Sequence, residues 1–198
     1  GAAFANKRQG NGKNTVVFFG DGALDEGNFW ESLNVACLMK LPVLFVCEDN
    51  GFAVHTPTYK RQGYASITDI VSNFNCSLLK EETTDAEVIY ELTRQAIETI
   101  KTTRMPCFMH LRYYRYLEHV GINEDFDAGY RSREEFEEWY KKDPVGLQRE
   151  KLLKQGINEG EIKTIERDID GRIESSLRAA KEAPFAKDSE LNIGVFTQ

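Results

Sequence analysis

Asp21 and Asn50 are the two residues of this chain best placed by type and spacing to do chemistry. They stand near the two ends of Thr15–Asn50, TVVFFGDGALDEGNFWESLNVACLMKLPVLFVCEDN, which reads as strand, glycine turn, helix, strand. If the strands lie side by side in a parallel sheet, both side chains converge at its carboxyl edge, where open α/β sheets bind ligands. A carboxylate and an amide oxygen meeting there are hard oxygen donors, suited to magnesium or calcium. Magnesium usually keeps positions for water and phosphate oxygens, so a site with one carboxylate implies a phosphorylated ligand. Gly20 and Gly22 flank Asp21, allowing positive φ and close approach of backbone to a ligand. The amides of Gly22, Ala23 and Leu24 at the helix entry would meet the same phosphate, assisted by a helix dipole worth about 0.3–1 kcal/mol. A plainer alternative stays open on the G-D-G alone: a turn with a solvated Asp21, and Asn50 as an ordinary loop residue.

The elements that must position this pair follow from the pattern. Thr15–Phe19 is a β-branched and aromatic run without alternation, as in a strand covered on both faces. From Gly27 to about Lys40, Phe29, Trp30, Leu33, Ala36 and Cys37 share one helical face. Leu41-Pro42 ends it and Val43–Cys47 is a second buried-type strand, completing a βαβ unit. Glu48–Gly63 reads as a loop. A short helix at Ile67–Asn73, a strand at Cys76–Lys80, a helix opened by the capping box Thr84-Asp85-Ala86-Glu87, and a strand at Pro106–Tyr113 follow. This alternation predicts an α/β fold with a doubly wound parallel sheet. After Tyr116 the chain turns polar, and from Ser132 it is helical. Capping patterns stand at Ser132, Asp143-Pro144 and Asn158, and a last helix is lined by Ile162, Ile165, Ile169, Ile173 and Leu177. The expected organisation is an α/β domain over 1–116, a loop over 117–131, and a helical extension over 132–198 packed on the domain.

Composition narrows the classes. A net charge of −7 over 198 residues argues against nucleic-acid binding, which normally needs a basic face. No apolar run reaches the roughly 20 residues needed to span a bilayer, so no membrane association is expected. No signal-peptide pattern precedes residue 10, and the uncapped helix at the start reads as a chain opening partway through a domain. Cys37, Cys47, Cys76 and Cys107 have no metal-type spacing and sit in apolar settings, as in a reducing compartment.

The full stretch is more specific than its G-D-G. The GDG turn, EGNFWESLN after it, the pair Asp49-Asn50 some 26 residues on with Gly51-Phe52, Tyr114-Arg115 with His119, and Tyr130-Arg131 leading into Ser132-Arg133-Glu134-Glu135 occur in one order. Together, from Gly1 to about Pro144, they resemble the alpha subunit of the thiamine-diphosphate-dependent decarboxylating component of 2-oxo acid dehydrogenase complexes (pyruvate, branched-chain and acetoin types). The resemblance implies a thiamine-diphosphate-binding fold, with magnesium held by Asp21, the Asn50 side chain and the Phe52 carbonyl. Gly20, Gly22, Ala23 and Leu24 would lie against the diphosphate. His119 would be the active-site histidine, on a loop anchored by Arg115. The implied reaction is oxidative decarboxylation of a 2-oxo acid with acyl transfer to a lipoyl group. Its implied partners are a beta subunit in an alpha2-beta2 heterotetramer, which supplies the carboxylate for the aminopyrimidine, and a lipoyl-bearing acyltransferase. The implied location is the cytoplasm, or the mitochondrial matrix in a eukaryote.

Some residues depart from that pattern. Asp49 stands for the first Asn of the usual pair, and is left out of the ligand set. His110 replaces a Glu and reads as a structural histidine, His55 follows the metal loop, and Val120 takes the place of a regulatory serine. Glu31, in mid-helix, reads as an interface or structural residue. Rival readings are a transketolase-like or acetoin-cleaving thiamine enzyme, a Rossmann module, which lacks its G-x-G-x-x-G here, and a non-catalytic assembly subunit of the same fold.

Overall fold

In chain order the computed structural model, which describes residues 1–195, runs α1 (Ala2–Gln9), β1 (Thr15–Gly20), α2 (Gly27–Leu38), β2 (Val43–Asp49), β3 (Phe52–Ala53), β4 (Thr56–Pro57), α3 (Ile67–Val71), β5 (Ser77–Glu81), α4 (Ala86–Thr103), β6 (Cys107–Arg112), α5 (Arg133–Tyr140), α6 (Pro144–Lys154) and α7 (Glu159–Glu182). The chain clusters into two compact units, one ending at Gln148 and one beginning at Arg149.

The first unit is built on a parallel sheet in the order β1-β2-β6-β5. The pleat sends alternate residues of β2 to opposite faces. Val43, Phe45 and Cys47 join Leu33, Ala36 and Cys37 of α2, Ile67 and Val71 of α3, and Phe108 of β6 in one core. Leu44 and Val46 join Ala96 and Ile100 of α4 with Cys107 and Met109 in the other. Helices therefore cover both faces, as the alternation predicts, and three of the four cysteines are buried.

The first strand differs from its expectation. Val16, Val17 and Phe18 of β1 are exposed, Phe18 at 65%. Among the described residues β1 has β2 as its only strand neighbour. Only its last aromatic, Phe19, packs inward, with its ring 5.0 Å from Phe29. An unalternating apolar run signals a strand, but burying both its faces takes elements packed above and below it, and of β1 the buried clusters take in Phe19 alone.

Caps fall close to where the sequence puts them. Ser132 accepts from the Glu135 amide at 3.2 Å, and the α4 cap is Asp85, one residue past the expected Thr84. Within the second unit Asn158 and Glu161 form a complete capping box for α7. Ile162 is buried, whereas Ile165, Ile169, Ile173 and Leu177 are about half exposed. Among the described residues no helix is long and apolar enough to cross a membrane.

Candidate functional site

The β1–β2 register sets Gly20 beside Glu48, so the turns leaving both strands meet at the carboxyl edge. The first turn enters a short 3-10 segment, Asp21–Asp25, before α2 begins at Gly27. The amides of Gly22, Ala23 and Leu24 thus belong to that segment and not to the start of α2, which corrects the expected helix entry. Neither Gly20 nor Gly22 uses the left-handed region. Gly22 is needed for another reason: a Cβ there would lie 2.9 Å from the Ala53 Cβ, so the turn is pressed against β3. Leu24 is buried, and its carbonyl accepts from Trp30 Nε1 at 2.8 Å.

The second turn is an Asx turn. Asn50 Oδ1 accepts from the Phe52 amide at 2.9 Å, and Asn50 Nδ2 donates to the Tyr113 hydroxyl at 3.2 Å. Gly51 here does need its lack of Cβ, with φ at +81°. The region read as plain loop then forms a small hairpin, β3 and β4. Val54 in its turn has φ +57°, unusual for a β-branched residue. Such a conformation persists only where the surroundings over-determine it. Two guanidinium nitrogens of Arg115 reach the Val54 carbonyl at 3.4 and 3.5 Å.

Asp21 is 1% exposed. Burial, and next the charge of Asp49, hold its carboxyl above the usual range, although Arg61 pairs with it. The chemistry of the donor set fits a hard divalent cation: a buried carboxylate on one turn, and an amide oxygen and a backbone carbonyl on the turn pressed against it. Among the described residues no three His, Cys, Asp or Glu side chains cluster to hold a metal. Any metal here would therefore draw on such mixed oxygen donors.

Asp49 has other occupants. Its Oδ2 accepts from His110 Nε2 at 2.7 Å, and its Oδ1 from Arg112 Nη1 at 2.8 Å and the Gly51 amide at 2.8 Å. The two departures singled out in the sequence, Asp49 and His110, are thus partners. Burial raises the Asp49 carboxyl, but His110, Arg112 and the Gly51 amide together bring it down to about 2. A depressed carboxyl contributes stability present above its unfolded value and lost as pH falls through its folded value. Asp49→Asn should therefore remove about 2 kcal/mol at neutral pH and flatten the stability loss between about pH 4 and pH 2. Urea unfolding across that range checks it; an unchanged acid limb would contradict the pairing.

A crevice of about 800 Å³ opens beside this turn, lined by Asn50, Phe52, Tyr64, His110 and Arg112 among others, with neither Asp21 nor His119 on its wall. His119 itself is exposed. Its loop, however, is fastened to the hairpin. Arg115 donates to the Leu117 carbonyl at 2.9 Å and to the Tyr130 hydroxyl at 2.6 Å. The Tyr130 ring lies 5.3 Å from Phe52 and 4.7 Å from His55. Beneath them Arg131 is buried, paired with Asp125 and donating to the carbonyls of Arg115 and Leu117. The structure thus brings Asp21, Gly22, Asn50 and the Phe52 turn together and ties the base of the His119 loop to that turn.

A family profile described as "Dehydrogenase E1 component" matches residues 1–189. The chain is similar to the pyruvate dehydrogenase E1 component subunit alpha of Zymomonas mobilis, at 29% identity over 96% of this chain and 53% of that protein. The subunit of the same name in Rickettsia bellii is 27% identical over 99% of this chain and 60% of its own length. The alpha subunit of acetoin:2,6-dichlorophenolindophenol oxidoreductase of Bacillus subtilis is 30% identical over 99% and 58%. The chain therefore spans between 53% and 60% of the length of these curated relatives. Among solved structures, a transketolase variant from Pichia stipitis aligns with TM-score 0.43 and 22% identity over 50% of this chain and 15% of that one.

Proposed function

From a chain that belongs to the dehydrogenase E1 component family, we infer the alpha-subunit part of a magnesium- and thiamine-diphosphate-dependent 2-oxo acid dehydrogenase. The observation that supports this most is the meeting of the Asp21 and Asn50 turns at the carboxyl edge of a parallel sheet. Asp21, the Asn50 side chain and the Phe52 carbonyl hold magnesium, and the backbone at Gly20, Gly22, Ala23 and Leu24 takes the diphosphate. When bound, thiamine diphosphate supplies the nucleophilic carbon and the electron sink for loss of carbon dioxide. The work of this chain is to orient. Its buried carboxylate fixes the metal, and the Asx turn at Asn50 fixes the amide and carbonyl donors. The loop that carries His119, the histidine assigned to the reacting end, is tethered at its base by Arg115 and Arg131.

The remaining parts come from elsewhere. A beta subunit, in an alpha2-beta2 assembly, binds the other end of the cofactor and supplies the carboxylate for its aminopyrimidine. A lipoyl-bearing acyltransferase takes the acyl group. The setting is cytoplasmic, or the matrix in a eukaryote. The similarity to the Bacillus subtilis acetoin oxidoreductase subunit favours a second reading, acetoin cleavage at the same clamp.

The test is turnover. The purified chain with magnesium and thiamine diphosphate should neither decarboxylate pyruvate or branched 2-oxo acids nor cleave acetoin. Adding a relative's beta subunit together with the stretch of its alpha subunit that this chain does not span should restore reduction of an artificial acceptor with one of these substrates. Turnover by the chain alone would sink the division of labour between subunits.

A further inference from the structure

We propose that Arg61 is a built-in competitor for the metal site: its guanidinium holds Asp21 until a divalent cation displaces it, and its departure loosens the loop that carries two of the cation's other ligands. This rests on the reading of Asp21, Asn50 and Phe52 as the metal's ligands.

The argument begins with where Arg61 comes from. The chain leaves β2 at Asn50, makes the β3–β4 hairpin, takes a short 3-10 turn at Thr58–Lys60, and returns Arg61 to the first turn of the site. Its side chain is 7% exposed and reaches both acids there, Nη2 on Asp21 Oδ2 and Nη1 on Asp25 Oδ2, the latter at 2.5 Å. Its Nε donates to the Thr56 carbonyl at 3.0 Å and Nη2 to Thr58 Oγ1 at 3.3 Å, so the fork is aimed by its own loop. Gln62 adds a bond from Nε2 to Asp25 Oδ1 at 3.3 Å.

Two cations cannot both hold a carboxylate that is 1% exposed without strong mutual repulsion in a medium of low dielectric. A divalent ion on Asp21 therefore weakens Arg61 there. Arg61 keeps a second partner, Asp25, at 28% side-chain exposure, toward which it can withdraw without becoming an unpaired buried charge.

The same loop links the two events. Thr58 donates to the Gly51 carbonyl twice, from its amide at 2.9 Å and its hydroxyl at 3.0 Å. Gly51 lies between Asn50 and Phe52, so the turn that presents those oxygens is tied to the segment that presents Arg61. Binding at one end of the loop and release at the other share one mechanical element, and their coupling must be reciprocal.

The probe is manganese alone, titrated into the full 198-residue chain and followed by electron paramagnetic resonance of the free ion. Arg61→Gln should bind manganese roughly 10-fold more tightly than the unaltered chain. On the unaltered chain, which needs no variant to fold, manganese should speed hydrogen exchange at the amides of Arg61 and Gln62, both now bonded to the Thr58 carbonyl. Equal or weaker binding by Arg61→Gln, or undiminished protection at saturating manganese, overturns the proposal. In either case, binding by the unaltered chain that is lost in Asp21→Asn leaves the metal reading standing. If the unaltered chain takes up no manganese, the metal reading fails, and this proposal with it.

Discussion

Arg131→Ala is expected to cost about 3–5 kcal/mol of folding stability and to open residues 115–131 to hydrogen exchange. The guanidinium is 2% exposed and carries the base of the His119 loop. It binds Asp125 from Nε at 2.8 Å and from Nη2, and donates to three successive carbonyls, of Arg115, Tyr116 and Leu117. The rings of Phe126, Tyr114 and Tyr130 lie 5.1, 5.3 and 5.6 Å from its carbon. Alanine removes all of this and leaves the Asp125 side chain, 9% exposed, beside Tyr130, with Arg115 3.6 Å away as its remaining cation among the described residues. Arg131→Lys should fall between, because an ammonium keeps the charge but not the planar fork. Urea unfolding with exchange mass spectrometry measures both effects. A loss below about 1 kcal/mol with unchanged exchange would mean the loop is held by something else.

The second large effect concerns Asp21→Asn, which should weaken magnesium-dependent cofactor binding by more than about 100-fold, since even residues behind a metal's ligands cost 10–100-fold. Stability should move the other way. Burial and the Asp49 charge raise the Asp21 carboxyl above its usual value. A carboxyl raised in the fold contributes less as pH climbs past its unfolded value, so at neutral pH the ionised Asp21 opposes folding. An amide of the same shape removes that opposition, and Arg61 still has Asp25. Binding lost with melting temperature unchanged or higher is the mark of a residue held for its chemistry. Binding kept with melting temperature lowered would make Asp21 structural.

Much of this site is legible in the residues. The periodicity of Phe29, Leu33, Ala36 and Cys37 places α2 on the sheet, and β2 reads as a strand buried on both faces. The G-D-G and the Asn50 turn meet as their spacing predicts, because a βαβ crossover brings successive strand ends side by side. What the chain does not disclose is long-range. Nothing in local pattern says that Arg61 returns to Asp21, 40 positions away. Nor does it say that Asp49 and His110, 61 apart, bond each other. The reason for Gly22 is likewise tertiary: it makes room for Ala53. Exposure along β1 could not be read at all, since a strand's apolar residues report what it can pair with and not what covers it. Arg131 was visible only as part of a motif. A lone basic residue after a tyrosine carries no signal of burial, and its role emerges only once Asp125 and three carbonyls converge on it.

The central claim is that Asp21 and the Asn50 turn form a magnesium–diphosphate clamp, and calorimetry of thiamine diphosphate binding to the full chain tests it most directly. Heat of binding should appear with magnesium present, vanish with a chelator, and vanish again in Asn50→Ala. Binding that is indifferent to magnesium, or heat with NAD in place of thiamine diphosphate, would contradict the clamp.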